Sequence, residues 1–98
     1  MGDRLPAQAG LTVGHNIVMW YVYIIKSSYK NWYYVGSTNS IQRRIEEHNH
    51  GKVTSTKAHV PLQLVWSKEF LSEKEARSYE KLLKDKRIEK EKIINSIS

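Results

Sequence analysis

Two runs early in the chain, Trp20–Lys26 and Trp32–Ser37, join β-branched and aromatic residues with little charge, the composition of β-strands. The polar stretch Ser27–Asn31 between them reads as a longer hairpin loop. Side chains alternate along a strand, so Tyr21, Tyr23 and Ile25 share one face of the first run. Trp32, Tyr34 and Gly36 share one face of the second, and pairing can bring Tyr23 and Tyr34 to the same side. The pattern then turns helical. Asn39 with Gln42 has the form of a capping box, and Gly51 suits the C-terminal stop. The face of this helix carries Ile41, Arg44, Ile45 and His48. Two of those four are polar, which a helix built only for core would avoid.

Lys52–Pro61 is a polar connection, and Leu62–Ser67 reads as a third strand. Ser72 with Glu75 opens another helix to about Lys86, with Ala76, Tyr79 and Leu83 turned inward and Glu80 at the margin of that stripe. A short last helix carries Ile93, Ile94 and Ile97. The order ββαβαα predicts an α+β fold: a small sandwich with a three-stranded, mainly antiparallel sheet flanked by helices.

Ninety-eight residues allow one core, assigned to residues 19–98. Residues 1–18, with Gly2, Gly10, Gly14 and no periodicity, read as a loose tail, a vector remnant or an over-extended start. Cysteine is absent, which excludes a disulfide scaffold and a thiolate zinc site and suits a reducing compartment. No apolar run approaches the roughly 20 residues that cross a bilayer, and no secretory signal is visible, so a cytoplasmic protein without a membrane partner is the expectation. Lys and Arg outnumber Asp and Glu by 16 to 10, a formal charge of +6. The excess is concentrated in Lys26–Lys57, where Lys26, Lys30, Arg43, Arg44, Lys52 and Lys57 face only Glu46 and Glu47. Such a field suits a phosphate-bearing partner; charge kept for solubility is the plainer alternative.

"VYI" at Val22–Ile24, "YVG" at Tyr34–Gly36, "RR" at Arg43–Arg44, "EHN" at Glu47–Asn49 with Gly51, and "EARSYE" at Glu75–Glu80 occur in one order. Together they resemble the GIY-YIG nuclease superfamily, in particular its small single-domain bacterial branch. The resemblance implies a divalent-metal-dependent endonuclease acting on DNA, with single-stranded or branched DNA as candidate substrates and DNA repair as a candidate role. It implies catalytic roles for Tyr23, Tyr34, Arg44, His48 and Glu80, with Glu80 the single carboxylate holding Mg²⁺ or Mn²⁺. Asn95 falls near a supporting asparagine of some members. Ser37 stands where excision-repair relatives carry a lysine, and the first motif reads Tyr-Val-Tyr in place of Gly-Ile-Tyr. No small-molecule cofactor is implied, and a protein partner for targeting is open.

The residue types suit phosphodiester hydrolysis. Arg44 offers a planar fork of donors that matches phosphate oxygens. Tyr34 could accept the proton of an attacking water if nearby positive charge helps its phenol release its own. His48 could move protons or support that phenol, and Tyr23 could position one of these groups. A metal on Glu80 could polarise the phosphoryl oxygen. Gly36 is expected to let the backbone approach a phosphate. Ser37, Thr38 and Arg43 are expected beside it as substrate-binding residues, with Asn49, Lys52 and Lys57 further along. Each has an ordinary alternative: strand aromatics for the tyrosines, a solvated helix charge for Arg44, and an i,i+4 pair with Lys84 for Glu80. A non-catalytic nucleic-acid-binding module on the same fold, and a small protein-docking scaffold, are the competing functions.

Overall fold

The aromatic hairpin forms as the alternation demands. Strands β1 (Trp20–Ser27) and β2 (Tyr33–Thr38) pair antiparallel, with Tyr23 opposite Gly36 and Ile25 opposite Tyr34. Partners directly across a ladder point to the same side, so Tyr23, Ile25 and Tyr34 share one sheet face. A computed structural model supplies these coordinates and describes residues 18–97; the tail expected for residues 1–18 lies outside them, except for Val18.

Strand β3 (Leu62–Phe70) pairs antiparallel with the other side of β1, giving the order β2-β1-β3. It runs past the expected end at Ser67 because β1 continues to pair, up to Trp20 opposite Phe70. All pairings are antiparallel, and β2 lies at an open edge.

Helix α1 (Ile41–Asn49) begins one residue later than the capping box placed it. Ser40, not Asn39, is the N-cap, accepting from the Arg43 amide at 3.4 Å, while Asn39 Oδ1 accepts from the Arg43 side chain at 3.0 Å. Gly51 ends the helix as expected, at φ +74°. The Gly51 amide returns to the His48 carbonyl and the Lys52 amide to the Glu47 carbonyl, both at 3.0 Å, closing a Schellman turn. A short 3₁₀ turn, Lys57–His59, precedes β3.

Helix α2 (Glu73–Asp85) is capped by Ser72, whose hydroxyl accepts from the Glu75 amide at 3.1 Å. Helix α3 (Arg87–Ile97) follows at once. Among the described residues no helix is long and apolar enough to cross a membrane.

The alternation splits the core in two. On one face Val22, Ile24 and Val35 pack with Ala76 and Leu83 of α2. On the other, Tyr23, Ile25 and Leu62 pack with Trp32, Tyr34, Val60 and Ile45 of α1. The sheet thus lies between α1, which packs toward β3, and α2, which covers β2 and β1.

Candidate active site

Two faces of a sheet meet only at its edge. Around β2 a cavity of about 320 Å³ is lined by Tyr23, Tyr34, Gly36 and Thr38, by Arg43 and Arg44 of α1, and by Ser37, Arg77, Glu80 and Trp20 from the α2 side. Consecutive residues of β2 point to opposite faces, so Gly36 belongs to the Tyr23 side and Ser37 to the α2 side. Glu80 reaches the cavity from α2 through this edge.

Glu80 is held there rather than left on the surface. Its side chain is 17% exposed, and its Oε2 pairs with the Lys84 ammonium at 2.8 Å. Its Oε1 accepts from the Ser37 hydroxyl at 2.5 Å. The i,i+4 pair named above as the ordinary alternative therefore exists, with Glu80 in the cavity wall and Lys84 behind it. Lys84 also lies 5.4 Å from the centre of the Tyr34 ring, which puts a cation beside that phenol.

Arg44 is tethered by Glu47, Nη1 to Oε1 at 2.9 Å, which keeps the Glu47 carboxyl below its usual range. At 35% exposure the Arg44 side chain faces both the cavity and solvent. Arg43 bonds Asn39 at 3.0 Å and Thr38 at 3.5 Å, so Thr38 and Arg43 brace each other at the cavity rim.

The polar stripe on α1 is explained by a buried chain of hydrogen bonds. His48 is fully buried, with Nε2 2.9 Å from the Tyr23 phenol oxygen and Nδ1 2.7 Å from Thr56 Oγ1. Burial, with Arg44 nearby, depresses the His48 pKa to about 4, so the imidazole is neutral at physiological pH. Both ring nitrogens are engaged. The ring therefore holds Tyr23 in place, and it meets Tyr34 only edge-on, with centroids 5.4 Å apart. Burial pushes the Tyr23 phenol up to about 12, against the opposing hydrogen bond and charge of Arg44. Tyr23 stays protonated and cannot serve as a base near neutral pH.

Gly36 has a different reason from the one expected. A Cβ there would fall onto the Tyr23 side chain, 2.5 Å from its Cζ and nearer still to its phenol oxygen. The missing side chain makes room for a phenol lying across β2, and Gly36 itself lines the cavity. Asn49 also departs from expectation. Its amide donates to the Leu62 carbonyl at 3.0 Å and accepts from the Leu62 amide at 2.7 Å, clamping the end of α1 to the start of β3. Lys52 and Lys57 are exposed in the following loop and do not line the cavity, and Asn95 is exposed on α3.

Three residues of the site escaped sequence reading. Thr56 is hidden in a polar loop between Thr54, Ser55 and Lys57. Arg77 sits three residues before Glu80 on α2, a helical spacing that could have revealed it. Trp20 packs under it, with the Arg77 guanidinium 5.5 Å from its ring centre.

Arginines from both helices, two phenols and one carboxylate around a single opening define a small α+β domain with a cavity rimmed by cations. A comparison with protein families matches the GIY-YIG catalytic domain to residues 19–92, and the chain belongs to this family, whose fold is of nuclease type and whose substrates are nucleic acids. A UPF0213 protein of Streptococcus pneumoniae serotype 4 is 38% identical over 77 residues, covering 76% of this chain and 77% of that one. The UPF0213 protein YazA of Bacillus subtilis is 33% identical over 61 residues, 61% of each chain. The solution NMR structure of a UPF0213 protein of Bacillus halodurans is 33% identical, covers 79% of this chain and 83% of that one, and has a TM-score of 0.49.

Proposed function

We propose that the protein is a divalent-metal-dependent endonuclease that hydrolyses phosphodiester bonds of DNA, with single-stranded or branched DNA as substrate. The observation that supports this reading is the meeting of Glu80 with Tyr34, Tyr23 and Arg44 in one cavity, although the sheet separates the helices that carry Glu80 and Arg44.

The donor chemistry fits the metal. Among the described residues no group of three or more His, Cys, Asp or Glu is gathered, so an all-protein cage is not offered. A lone carboxylate with a neighbouring hydroxyl suits Mg²⁺ or Mn²⁺, which retain waters and take phosphate oxygens as further ligands. Glu80 would hold the ion, with Ser37 orienting the carboxylate and Lys84 moving aside. Once bound, the ion would supply Lewis-acid polarisation of the phosphate and neutralise charge on the departing oxygen.

The chain's own residues account for the rest. Arg44 binds the non-bridging phosphate oxygens through the part of its fork that Glu47 leaves free, with Arg43 and Arg77 widening the cationic rim. Tyr34 takes the proton of the attacking water. Its hydroxyl has no hydrogen-bond partner among the described residues, which leaves it free to meet the water. Tyr23, held by His48, lines the cavity beside Arg44, whose position Glu47 fixes.

Purified protein incubated with single-stranded, duplex and branched DNA and Mg²⁺ or Mn²⁺ tests the reading. Cleavage is expected to fall by at least about 100-fold in Glu80→Ala and in Tyr34→Phe, with folding unchanged. Equal cleavage by the variants would place the activity elsewhere. Salt-dependent DNA binding without product under either metal would establish the non-catalytic module instead.

A further inference from the structure

We infer that Thr56 is a positioning residue of this site: through His48 it sets the direction in which the Tyr23 hydroxyl donates, and so turns a phenolic lone pair toward Arg44 and the cavity. The inference rests on the catalytic reading for its kinetic consequence, and on hydrogen-bond geometry alone for the relay.

Thr56 is fully buried, whereas Thr54 and Ser55 beside it are exposed. Its backbone is fixed just ahead of the 3₁₀ turn: its amide donates to the Val53 carbonyl at 3.1 Å, and its own carbonyl accepts from the His59 amide at 2.9 Å. Its Oγ1 lies 2.7 Å from His48 Nδ1 and 3.4 Å from the Val53 carbonyl.

A neutral imidazole has one N–H and one lone pair, so the chain of bonds can run in two directions. In the first, the Tyr23 hydroxyl donates to Nε2, Nδ1–H donates to Thr56, and the Thr56 hydroxyl donates to the Val53 carbonyl. Every proton then has an acceptor. In the second, Thr56 donates to Nδ1 and Nε2–H donates to Tyr23. The phenolic proton must then turn outward, into the cavity that Tyr23 and the Arg44 guanidinium line together. A guanidinium only donates, so that arrangement sets donor against donor. The first direction is the consistent one. It leaves the Tyr23 oxygen free to accept from Arg44, aligning the guanidinium for phosphate. The loop carrying Thr56 is thereby part of the site although it lines none of the cavity.

The test uses the whole chain with Thr56→Val, which keeps the shape and removes the hydroxyl, and Thr56→Ser, which keeps it. Two-bond ¹H–¹⁵N NMR of the His48 ring reads the tautomer without any activity. The wild type and Thr56→Ser are expected to carry the ring proton on Nδ1, and Thr56→Val to lose that preference. Cleavage by Thr56→Val is expected to drop about 10- to 100-fold in kcat, with KM little changed and Thr56→Ser restoring the rate. A wild-type ring protonated on Nε2 overturns the relay whether or not Thr56→Val folds. A tautomer that shifts in Thr56→Val with no change in kcat overturns the positioning role while leaving the nuclease reading intact. A wild type that cleaves no DNA overturns the nuclease reading, and the kinetic role with it, while the tautomer result still decides the relay.

Discussion

The two faces of the sheet are built from the same strands and to opposite purposes. The α2 face is closed by Val22, Ile24, Val35, Ala76 and Leu83, all apolar and buried. The α1 face buries Tyr23, His48 and Thr56 among Ile25 and Leu62, and links those polar groups to one another. Apolar burial is non-directional and stabilises roughly in proportion to area. A buried hydrogen-bonded chain contributes less net stability but fixes orientation, because any other arrangement leaves a polar group unpaired. The α2 face is apolar within and contributes to the site only at its margin, where Ser37 holds Glu80, whereas the α1 face aims its side chains from inside the core.

That division can be broken by substitution. Leu83→Ala should lower stability by about 3 kcal/mol through lost burial and a cavity, with cleavage per folded molecule unchanged below the melting transition. Denaturant unfolding and a rate assay on the same sample check both halves. A large loss of turnover in the fully folded variant would mean that the apolar interior of the α2 face, and not only its margin at Ser37 and Glu80, aims the site. Gly36→Ala should cost roughly 1–3 kcal/mol and displace the Tyr23 phenol, since its Cβ would overlap that side chain. Here turnover and stability are expected to fall together.

A subtler difference lies in pH. The folded-state pKa of His48 is lowered from 6.5 to about 4 by burial, so the unfolded chain takes up this proton more readily than the folded one. The stabilising contribution is complete above the unfolded value and fades as pH falls toward the folded one. Between pH 7 and pH 5 the loss should be about 2 kcal/mol. Denaturation curves for the wild type and His48→Gln isolate it: the variant is less stable at pH 7, and its pH slope in this window is expected to be flatter. An identical slope would assign the acid sensitivity to other groups.

The fold was legible where periodicity and caps agree. Alternation in the hairpin, the Ser72 cap and Gly51 each point to one local structure, and each forms. Asn39 and Ser40 are both good caps side by side, so composition could not choose between them; Ser40 wins, and Asn39 binds the Arg43 side chain instead. The mixed stripe Ile41, Arg44, Ile45 and His48 correctly signalled a helix with more than core to build. What stayed hidden depends on contacts between distant parts of the chain. Asn49 looked like a polar helix end free for DNA until Leu62 came beside it. Gly36 looked like room for a ligand until Tyr23 lay across it. Nothing local separates Thr56 from Thr54, because the difference is a histidine on another element.

The cavity's place at the edge of β2 ties its composition to the alignment of a single strand. A slip of β2 by one residue against β1 would send Tyr34 to the α2 side and bring Val35 to the cavity. Glu80 would lose Ser37 in the same movement. On the proposed nuclease reading, hydrolysis therefore requires β2 to be aligned on β1 in this register, and a misregistered chain lacks the assembled cavity.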